Sequence, residues 1–193
     1  MRSVFLLLCW VTVASAEPRE HAGLHLRLGV GSGYATGSTS VDDLSADVTG
    51  VPIATEISVG TTIAPGLVVG GGTFSMIVPS PSYGGMSSGA NHISGTGPFV
   101  DYYLDPHAGT HLQAALLFTA GYLQGKDGGE SSTGFGVGAE IGAGYEWWLS
   151  DTWSIGPIAR VAYYRLYATS SDTNTKSTLG LVVPSVLVAL TYH

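Results

Sequence analysis

The chain has 193 residues, only 11% of them charged, and its 7 Lys+Arg against 14 Asp+Glu give a net charge of −7. This is well below the ~25% of charged residues in ordinary soluble domains, and a nucleic-acid surface would need clustered Lys and Arg. Beyond the N-terminal segment, no apolar run reaches the ~18 residues that a membrane-spanning helix requires. The chain must therefore cover its apolar surface in another way, and we expect no nucleic-acid partner.

Residues 1–16 have the three parts of a secretory signal. A positive charge near the start is followed by an apolar core at 4–13 and by small residues at 14–16, where cleavage is expected. The single cysteine, Cys9, would leave with the signal, so the mature chain would have no thiol for a disulfide. We expect an exported protein with one domain, residues 17–193.

Eight segments of the mature chain alternate between apolar residues and polar or small ones, which is the period of a β-strand with two different faces. They lie near 22–33, 49–63, 66–78, 92–104, 109–123, 133–149, 152–167 and 178–193. Most exceed the usual globular strand of ~5–6 residues and reach the ~9–11 residues that cross a bilayer at a tilt. In the third segment the pattern does not assign the two faces.

The connections between these segments alternate in length. Tight turns at 62–66, 105–109 and 150–151 alternate with longer connections rich in Ser, Thr, Gly, Asp and Asn, at 34–48, 79–91, 124–132 and 168–177. Short turns at one end and long loops at the other are typical of outer-membrane barrels, whose turns are periplasmic. Because an open sheet in lipid would leave backbone groups unpaired, we predict an all-β fold, an eight-stranded antiparallel up-and-down transmembrane β-barrel.

The sixth segment shows how the two faces are expected to be used. One parity is apolar (Phe135, Val137, Ala139, Ile141, Ala143, Tyr145, Trp147), and the other consists mainly of glycine with Glu140 and Glu146. A soluble barrel with an apolar cavity is the competing model, but its outside would need many more charges than this polar parity carries. The apolar parity is therefore expected to face lipid and the polar parity the lumen.

Six charged residues share the inward parity, and we interpret them as a structural ion-pair network: Arg27, Glu56, Asp101, Glu140, Glu146 and Arg160. The interior of an eight-stranded barrel is just filled by side chains, and buried charges must be paired or hydrated. The turn at 150–151 brings Glu140 and Arg160 to similar heights, which predicts an ion pair. A second pairing is expected among Arg27, Glu56 or Glu146.

Aromatic residues lie near both ends of the predicted strands, as expected for rings at the two membrane–water interfaces. The predicted aromatic girdle comprises Tyr102, Trp147, Trp153 and Tyr192 toward the turns, and Tyr122 and Tyr163 toward the loops. Aromatic residues favour strands in general, so this pattern supports the barrel without proving it.

Taken together, the signal, the eight segments, the alternating loop lengths and the inward Arg27, Glu56, Glu140 and Arg160 resemble small eight-stranded outer-membrane proteins of Gram-negative bacteria, of the OmpA transmembrane-domain and OmpX type. The resemblance covers the whole mature chain and is one of architecture. It implies an outer-membrane location, contact with outer-membrane lipids, and insertion by the barrel-assembly machinery. Such proteins usually end in an aromatic residue, whereas this chain ends Tyr192-His193.

The leading interpretation is a non-enzymatic integral membrane protein with a polar, plugged interior. Its four exposed loops would serve surface interaction or envelope structure by binding an extracellular ligand or an envelope protein. We expect no catalytic residues and no cofactor, and no metal site either, because the scattered histidines have no metal-ligand spacing.

Two other functions remain open at this stage. In one, the barrel is a small-molecule conduit with a lateral opening, marked by Pro98, Pro157 and Pro184 on the outward parity. In the other, the barrel is a lipid A-modifying enzyme that uses His92 and Ser94 as base and nucleophile. An acid that would orient the histidine is missing, because Asp101 has the inward parity, and Glu130 could serve only if its loop folds over.

Overall fold

The computed structural model describes residues 19–41, 44–125, 131–170 and 176–193, which form thirteen β-strands. In chain order these are β1 (Leu24–Gly33), β2 (Ala35–Val41), β3 (Leu44–Gly50), β4 (Ile53–Ala64), β5 (Leu67–Val78), β6 (Ser82–Tyr83), β7 (Met86–Ser87), β8 (Asn91–Tyr103), β9 (Thr110–Leu123), β10 (Ser132–Tyr145), β11 (Trp147–Trp148), β12 (Trp153–Ser170) and β13 (Lys176–Tyr192). The predicted signal at 1–16 lies outside the described residues. No helix in the described ranges is long and apolar enough to cross a membrane.

Eight of these strands close into a ring in which every neighbouring pair is antiparallel. The ring runs β1, β4, β5, β8, β9, β10, β12 and β13, and β13 then pairs back to β1, with Arg27 opposite Thr191. This closure satisfies the backbone of all eight strands without an open edge. The predicted fold class, an eight-stranded antiparallel barrel, is confirmed.

The connection expected at 34–48 is mostly strand, and the prediction of a loop there is wrong. Ser32 pairs with Ile53 and Ala35 pairs with Gly50, so the β2–β3 hairpin continues the register of β1 and β4 beyond the barrel wall. One face of this hairpin is exposed to solvent, which explains its polar composition, whereas Ala35 and Val48 at its base are buried in the hydrophobic core.

The connection expected at 79–91 also contains structure, because β6 and β7 form a short hairpin. β6 pairs with β3, with Tyr83 opposite Val48, and β2 pairs with β13, with Leu181 opposite Gly37. The end of the barrel opposite the tight turns therefore carries an extra sheet, which we call the hairpin platform: β2, β3, β6 and β7.

The three outward prolines sit at interruptions of the ladder. The β8–β9 pairing skips Pro98, the β10–β12 pairing stops before Pro157, and the β1–β2 strand breaks beside Pro184. Proline has no N–H to donate, so it is tolerated where a ladder hydrogen bond is already missing. These prolines are explained by irregular pairing and do not by themselves mark a lateral opening.

The faces of β5, which the sequence pattern left unassigned, are now clear. Phe74 and Met76 point into the barrel and are buried, whereas the outward side carries Thr73 and Ser75. These hydroxyls bond across to β8, Thr73 to Thr96 at 3.1 Å and Ser75 to Ser94 at 2.8 Å. At residues 73–76 the usual arrangement, apolar side chains outside and polar side chains inside, is therefore reversed. The outward hydroxyls are tolerated because they form hydrogen bonds with hydroxyls of β8.

Candidate functional site

The barrel interior is divided into a polar half at the tight turns, the end that we expect to be periplasmic, and an apolar half toward the hairpin platform. The polar half is built from side chains that are each exposed by 4% or less: His21, His25, Arg27, Glu56, Asp101, Tyr103, His111, Gln113, Glu140, Glu146, Ser154, Arg160, Thr191 and His193. All six residues of the predicted ion-pair network belong to this set. The interior is thus the place where the chemistry-bearing residues of the chain converge.

Arg27 is the centre of the lower part of this network. Its Nη1 lies 2.6 Å from Asp101 Oδ2, and its Nη2 lies 3.0 Å from Glu146 Oε1. Nη2 also donates to Tyr103 Oη at 2.9 Å, and Nε donates to Thr191 Oγ1 at 3.1 Å. One fully buried guanidinium therefore holds two carboxylates and two hydroxyls, from β8, from β13 and from Glu146 between β10 and β11, a geometry that the planar fork of arginine suits well.

Arg160 is the centre of the upper part of the network. Its Nη1 lies 3.5 Å from Glu140 Oε1 and 3.4 Å from Glu56 Oε2. Glu56 also accepts a hydrogen bond from Gln113 Nε2 at 3.0 Å. The pairing register places Gly142, not Glu140, directly opposite Arg160, so the side chains meet diagonally. A Cβ on Gly142 would lie 3.1 Å from the Cβ of Arg160, which explains the small residue there.

A layer of histidines closes the periplasmic end. His21 precedes β1 and stacks on Tyr103, with ring centroids 3.6 Å apart, and its Nδ1 lies 3.1 Å from Nδ1 of the terminal His193. His193 Nε2 in turn lies 3.3 Å from Glu146 Oε2. Burial, with a smaller contribution from His193, lowers the pKa of His21 to about 3, so its ring is neutral. The two ends of the described chain thus meet inside the barrel mouth.

Several members of this polar half were missed in the sequence, although a signal was present. Tyr103 has the same parity as Asp101, and His111 has the same parity as Gln113, so both were predictable as inward residues. His21 was not, because it lies outside any strand. His193 is the residue that follows the outward Tyr192, which stacks edge-on against Trp153 with centroids 5.2 Å apart. The unusual chain end therefore places its aromatic ring outside and its imidazole inside.

The half of the lumen next to the hairpin platform is apolar, so the expectation of a polar interior is wrong there. Its large buried side chains include Phe74, Met76, Ile93, Leu117, Tyr164, Leu166, Leu179, Leu181 and Val183, each exposed by 3% or less. The guanidinium of Arg160 lies over the Phe74 ring, 5.8 Å from its centroid, at the boundary between the halves. The side chains that line a continuous water channel would be exposed to water. Because the large side chains of both halves are buried, the two halves close the lumen.

The outer surface is the face expected to contact lipid. The residues of the predicted aromatic girdle all point outward, with Trp147 55% and Tyr122 48% exposed. Arg165, the charged residue on this parity, lies near the loop end with its guanidinium 5.7 Å from the Tyr167 ring centroid. Large apolar side chains such as Ile57, Leu116 and Ile141 stand out from the wall, 59–68% exposed. Such a surface is compatible with lipid and not with water.

Among the described residues, no acid accompanies His92 and Ser94, and Glu130 lies outside the described residues. His92 and Ser94 do lie on the outward face of β8, but the Ser94 hydroxyl is hydrogen-bonded to Ser75 on β5. Asp101 lies inside the barrel, paired with Arg27 and 2.8 Å from His111 Nδ1. The described residues thus place that acid on the opposite side of the wall from His92.

The closed ring, the apolar exterior and the alternation of short turns with long extensions define the class: a small transmembrane β-barrel of the outer-membrane type. Among solved structures, the chain is similar to Neisserial surface protein A (16% identity, TM-score 0.51), covering 89% of this chain and 97% of that one. It is also similar to the outer membrane protein OprG from Pseudomonas aeruginosa (13% identity, TM-score 0.54, 91% and 98% covered). The outer membrane protein AlkL gives 12% identity and a TM-score of 0.56, with 100% and 96% covered.

Protein-family models and curated protein sequences give no match to this chain. The structural similarity at 12–16% identity therefore carries the comparison, and it shows the fold. The neighbours are outer-membrane barrels, which confirms the architecture that the sequence resembles and agrees with the expected outer-membrane location.

Proposed function

We propose that the protein is a non-enzymatic integral protein of the bacterial outer membrane that acts through its extracellular hairpins and not through its lumen. The observation that carries this proposal is the closed interior: the large side chains of both halves are exposed by 4% or less. A barrel closed in this way would serve as the membrane anchor of these hairpins. Its insertion by the barrel-assembly machinery stays a prediction.

The hairpin platform is the surface offered to a partner. It is a paired sheet and not a coil, so its backbone is ordered before binding, which lowers the entropic cost of association. Leu44 and Met86 stand on it with 79% and 75% of their surface exposed. These two exposed apolar side chains are the contact points that we propose for a partner. The partner is therefore expected to be an extracellular ligand or an envelope protein.

The orientation can be tested with single cysteines, because the chain has only Cys9 and that residue lies in the predicted signal. On intact cells, a membrane-impermeant maleimide should label Leu44→Cys in the hairpin platform. Asp151→Cys, in the turn between β11 and β12, should be labelled only after the outer membrane is permeabilised. Labelling of both, or of Asp151→Cys alone, on intact cells contradicts the proposed orientation.

The role of the hairpin platform can be tested by shortening it in register. Ala35 pairs with Gly50, so replacing residues 36–49 by Asn-Gly joins two paired residues through a favourable two-residue turn. The variant should keep its barrel, shown by a gel mobility that changes on heating. Cells carrying it should attach less well to host-cell monolayers, or to one another, than cells with the parent protein. Equal attachment in both assays contradicts the proposed role.

A conduit for small apolar molecules is the second candidate, favoured by a groove of about 920 Å³ in the outer wall. Outward Ala143, Ala159 and Pro184 line this groove together with the inward Arg160 and Ser185. If the groove admitted molecules to the lumen, liposomes containing the protein would take up a fluorescent aromatic hydrocarbon faster than liposomes containing Ala143→Phe. We expect equal uptake, together with no steady current in planar bilayers.

A further inference from the structure

The histidine layer at the periplasmic end contains three groups in the arrangement of a metal site. His21 Nδ1 lies 3.2 Å from His193 Nε2, which lies 3.3 Å from Glu146 Oε2, and the ligand atoms of all three residues are within 4.8 Å of one another. A tetrahedral zinc ion with bonds of ~2.0–2.1 Å has ligand atoms about 3.3 Å apart. The two shorter separations therefore match two edges of a zinc coordination tetrahedron. All three residues are buried.

The surroundings of Glu146 divide its two oxygens between separate tasks. Oε1 accepts from Arg27 Nη2 at 3.0 Å and from Thr191 Oγ1 at 2.7 Å. Oε2 accepts from Ser154 Oγ at 2.6 Å and from Tyr103 Oη at 3.2 Å, and it lies 3.3 Å from His193 Nε2. Both oxygens are thus held by the barrel, and Oε2 is the one that also faces the histidines. Hydrogen bonds that orient a carboxylate in this way are the usual support of a metal ligand.

Two further observations favour a cation in this layer. His21 Nε2 and both ring nitrogens of His25 are buried without a hydrogen-bond partner among the described residues, and the rings of His25 and His193 are 5.7 Å apart. The interior also holds four carboxylates (Glu56, Asp101, Glu140, Glu146) but two guanidinium groups (Arg27, Arg160). A divalent cation would balance the two extra negative charges, and the unpartnered nitrogens show that the protein alone does not satisfy the polar groups of this layer.

We propose that His21, His193 and Glu146 form a binding site for a divalent transition metal, with zinc as the fitting ion. A site with two imidazole nitrogens and one carboxylate oxygen suits zinc better than calcium or magnesium, because those two ions bind through oxygen ligands. Ser154 Oγ borders the site, 2.9 Å from His193 Nε2. Because His21 and His193 come from opposite ends of the chain, zinc would join the two ends and lock the barrel mouth. This site is independent of the function proposed for the hairpins.

The test uses the full barrel without a histidine tag, refolded in detergent after removal of metals with a chelator. Because the site is buried, zinc is supplied both before and after refolding, and binding is measured by competition with a chromophoric chelator. The parent should bind one zinc per chain and melt at a higher temperature with zinc than without it. If zinc binds neither when it is supplied before refolding nor when it is supplied afterwards, the proposal is wrong.

Variants locate the bound zinc. His21→Ala and His193→Ala should each weaken zinc binding at least 10-fold, whereas His107→Ala, at an exposed turn, should bind as the parent does. If His107→Ala loses the affinity and the other two keep it, zinc sits on the surface and the proposal is wrong. Should His193→Ala fail to fold, X-ray absorption of the zinc-loaded parent decides instead: two imidazoles with oxygen support the site, and any other ligand set rejects it.

Discussion

The two halves of the barrel interior exclude water equally well but by opposite means. Toward the tight turns, the lumen is filled by two arginines, four carboxylates and a layer of histidines, whereas toward the hairpin platform it is filled by Phe, Met, Ile, Leu and Val. A buried charge is tolerated only where a partner is in place, so the polar half depends on exact positions. The apolar half depends mainly on volume. The polar half should therefore respond steeply to the loss of single charges, and the apolar half to the loss of single methyl groups.

The difference also suggests what each half does for the fold. In the polar half, Arg27 joins Asp101 on β8 to Glu146 beside β11, so a slip of either strand would leave charges unpaired. Specific pairing of this kind fixes register. The apolar half leads into the hairpin platform, where β13 continues past the barrel and pairs with β2. We expect the polar half to specify the barrel and the apolar half to support the surface that it presents.

The largest expected effect is the loss of Arg27. In Arg27→Met the side-chain volume is nearly kept, but Asp101 and Glu146 lose the guanidinium 2.6 and 3.0 Å away. Removing one partner from a buried ion pair costs about 3–5 kcal/mol. We expect that loss in the free energy of unfolding, measured by urea denaturation of the protein in lipid vesicles.

Arg165→Met is the matched control, because it removes the same group from the outer surface. Arg165 is exposed and contacts the Tyr167 ring, an interaction of about 0.5–1 kcal/mol at such sites. Similar losses for the two variants would mean that the interior carboxylates do not depend on Arg27.

The corresponding change in the apolar half is Leu181→Ala. Leu181 is 2% exposed, and truncating a buried leucine costs about 2–5 kcal/mol through lost burial and a residual cavity. Its neighbour Val182 faces outward and is 41% exposed, so lipid fills the space in Val182→Ala and the loss stays below about 1 kcal/mol. Urea denaturation measures the loss in the free energy of unfolding for both variants. Equal losses would show that the upper lumen is loosely packed.

These contrasts show which parts of the fold could be predicted from the sequence. The eight barrel strands and the inward position of Glu140 and Arg160 follow from a period of two, which depends on backbone geometry alone. The pattern failed on β5, where Thr73 and Ser75 face outward, because paired hydroxyls satisfy each other and tolerate lipid. It also failed at 34–48, since Ser and Thr suit a solvated hairpin as well as a loop.

The candidate site was only partly predictable, for a different physical reason. Parity shows that Arg27, Asp101 and Glu146 point inward, but not which of them meet, because that depends on the shear between strands far apart in sequence. His21 and His193 are separated by 172 residues and belong to no shared strand pair. Their approach follows from closure of the ring, which places β1 beside β13, and no local pattern encodes it.

Within the polar half, the two carboxylates that share Arg160 should contribute unequally to the free energy of unfolding. Arg160 is shared by Glu140 and Glu56, at 3.5 and 3.4 Å, so Glu140→Gln leaves it one partner. We expect a loss of about 1.5 kcal/mol, typical of one hydrogen bond to a charged group. Glu56→Gln should cost more, because Gln113 and Ser58 also donate to Glu56. Urea denaturation measures the loss in the free energy of unfolding for both variants. A larger loss in Glu140→Gln than in Glu56→Gln would mean that Arg160 is held mainly by Glu140.

The smallest effect is expected for polar groups on the lipid side of the wall. Ser75→Ala removes a 2.8 Å hydrogen bond to Ser94 on the outer face. Such hydrogen bonds in membranes contribute about 0.6 kcal/mol on average, because the unpaired group finds other partners. A double-mutant cycle with Ser94→Ala isolates this interaction. A coupling as large as the loss in Glu140→Gln would mean that this part of the wall is shielded from lipid, and would point to a protein contact on β5 and β8.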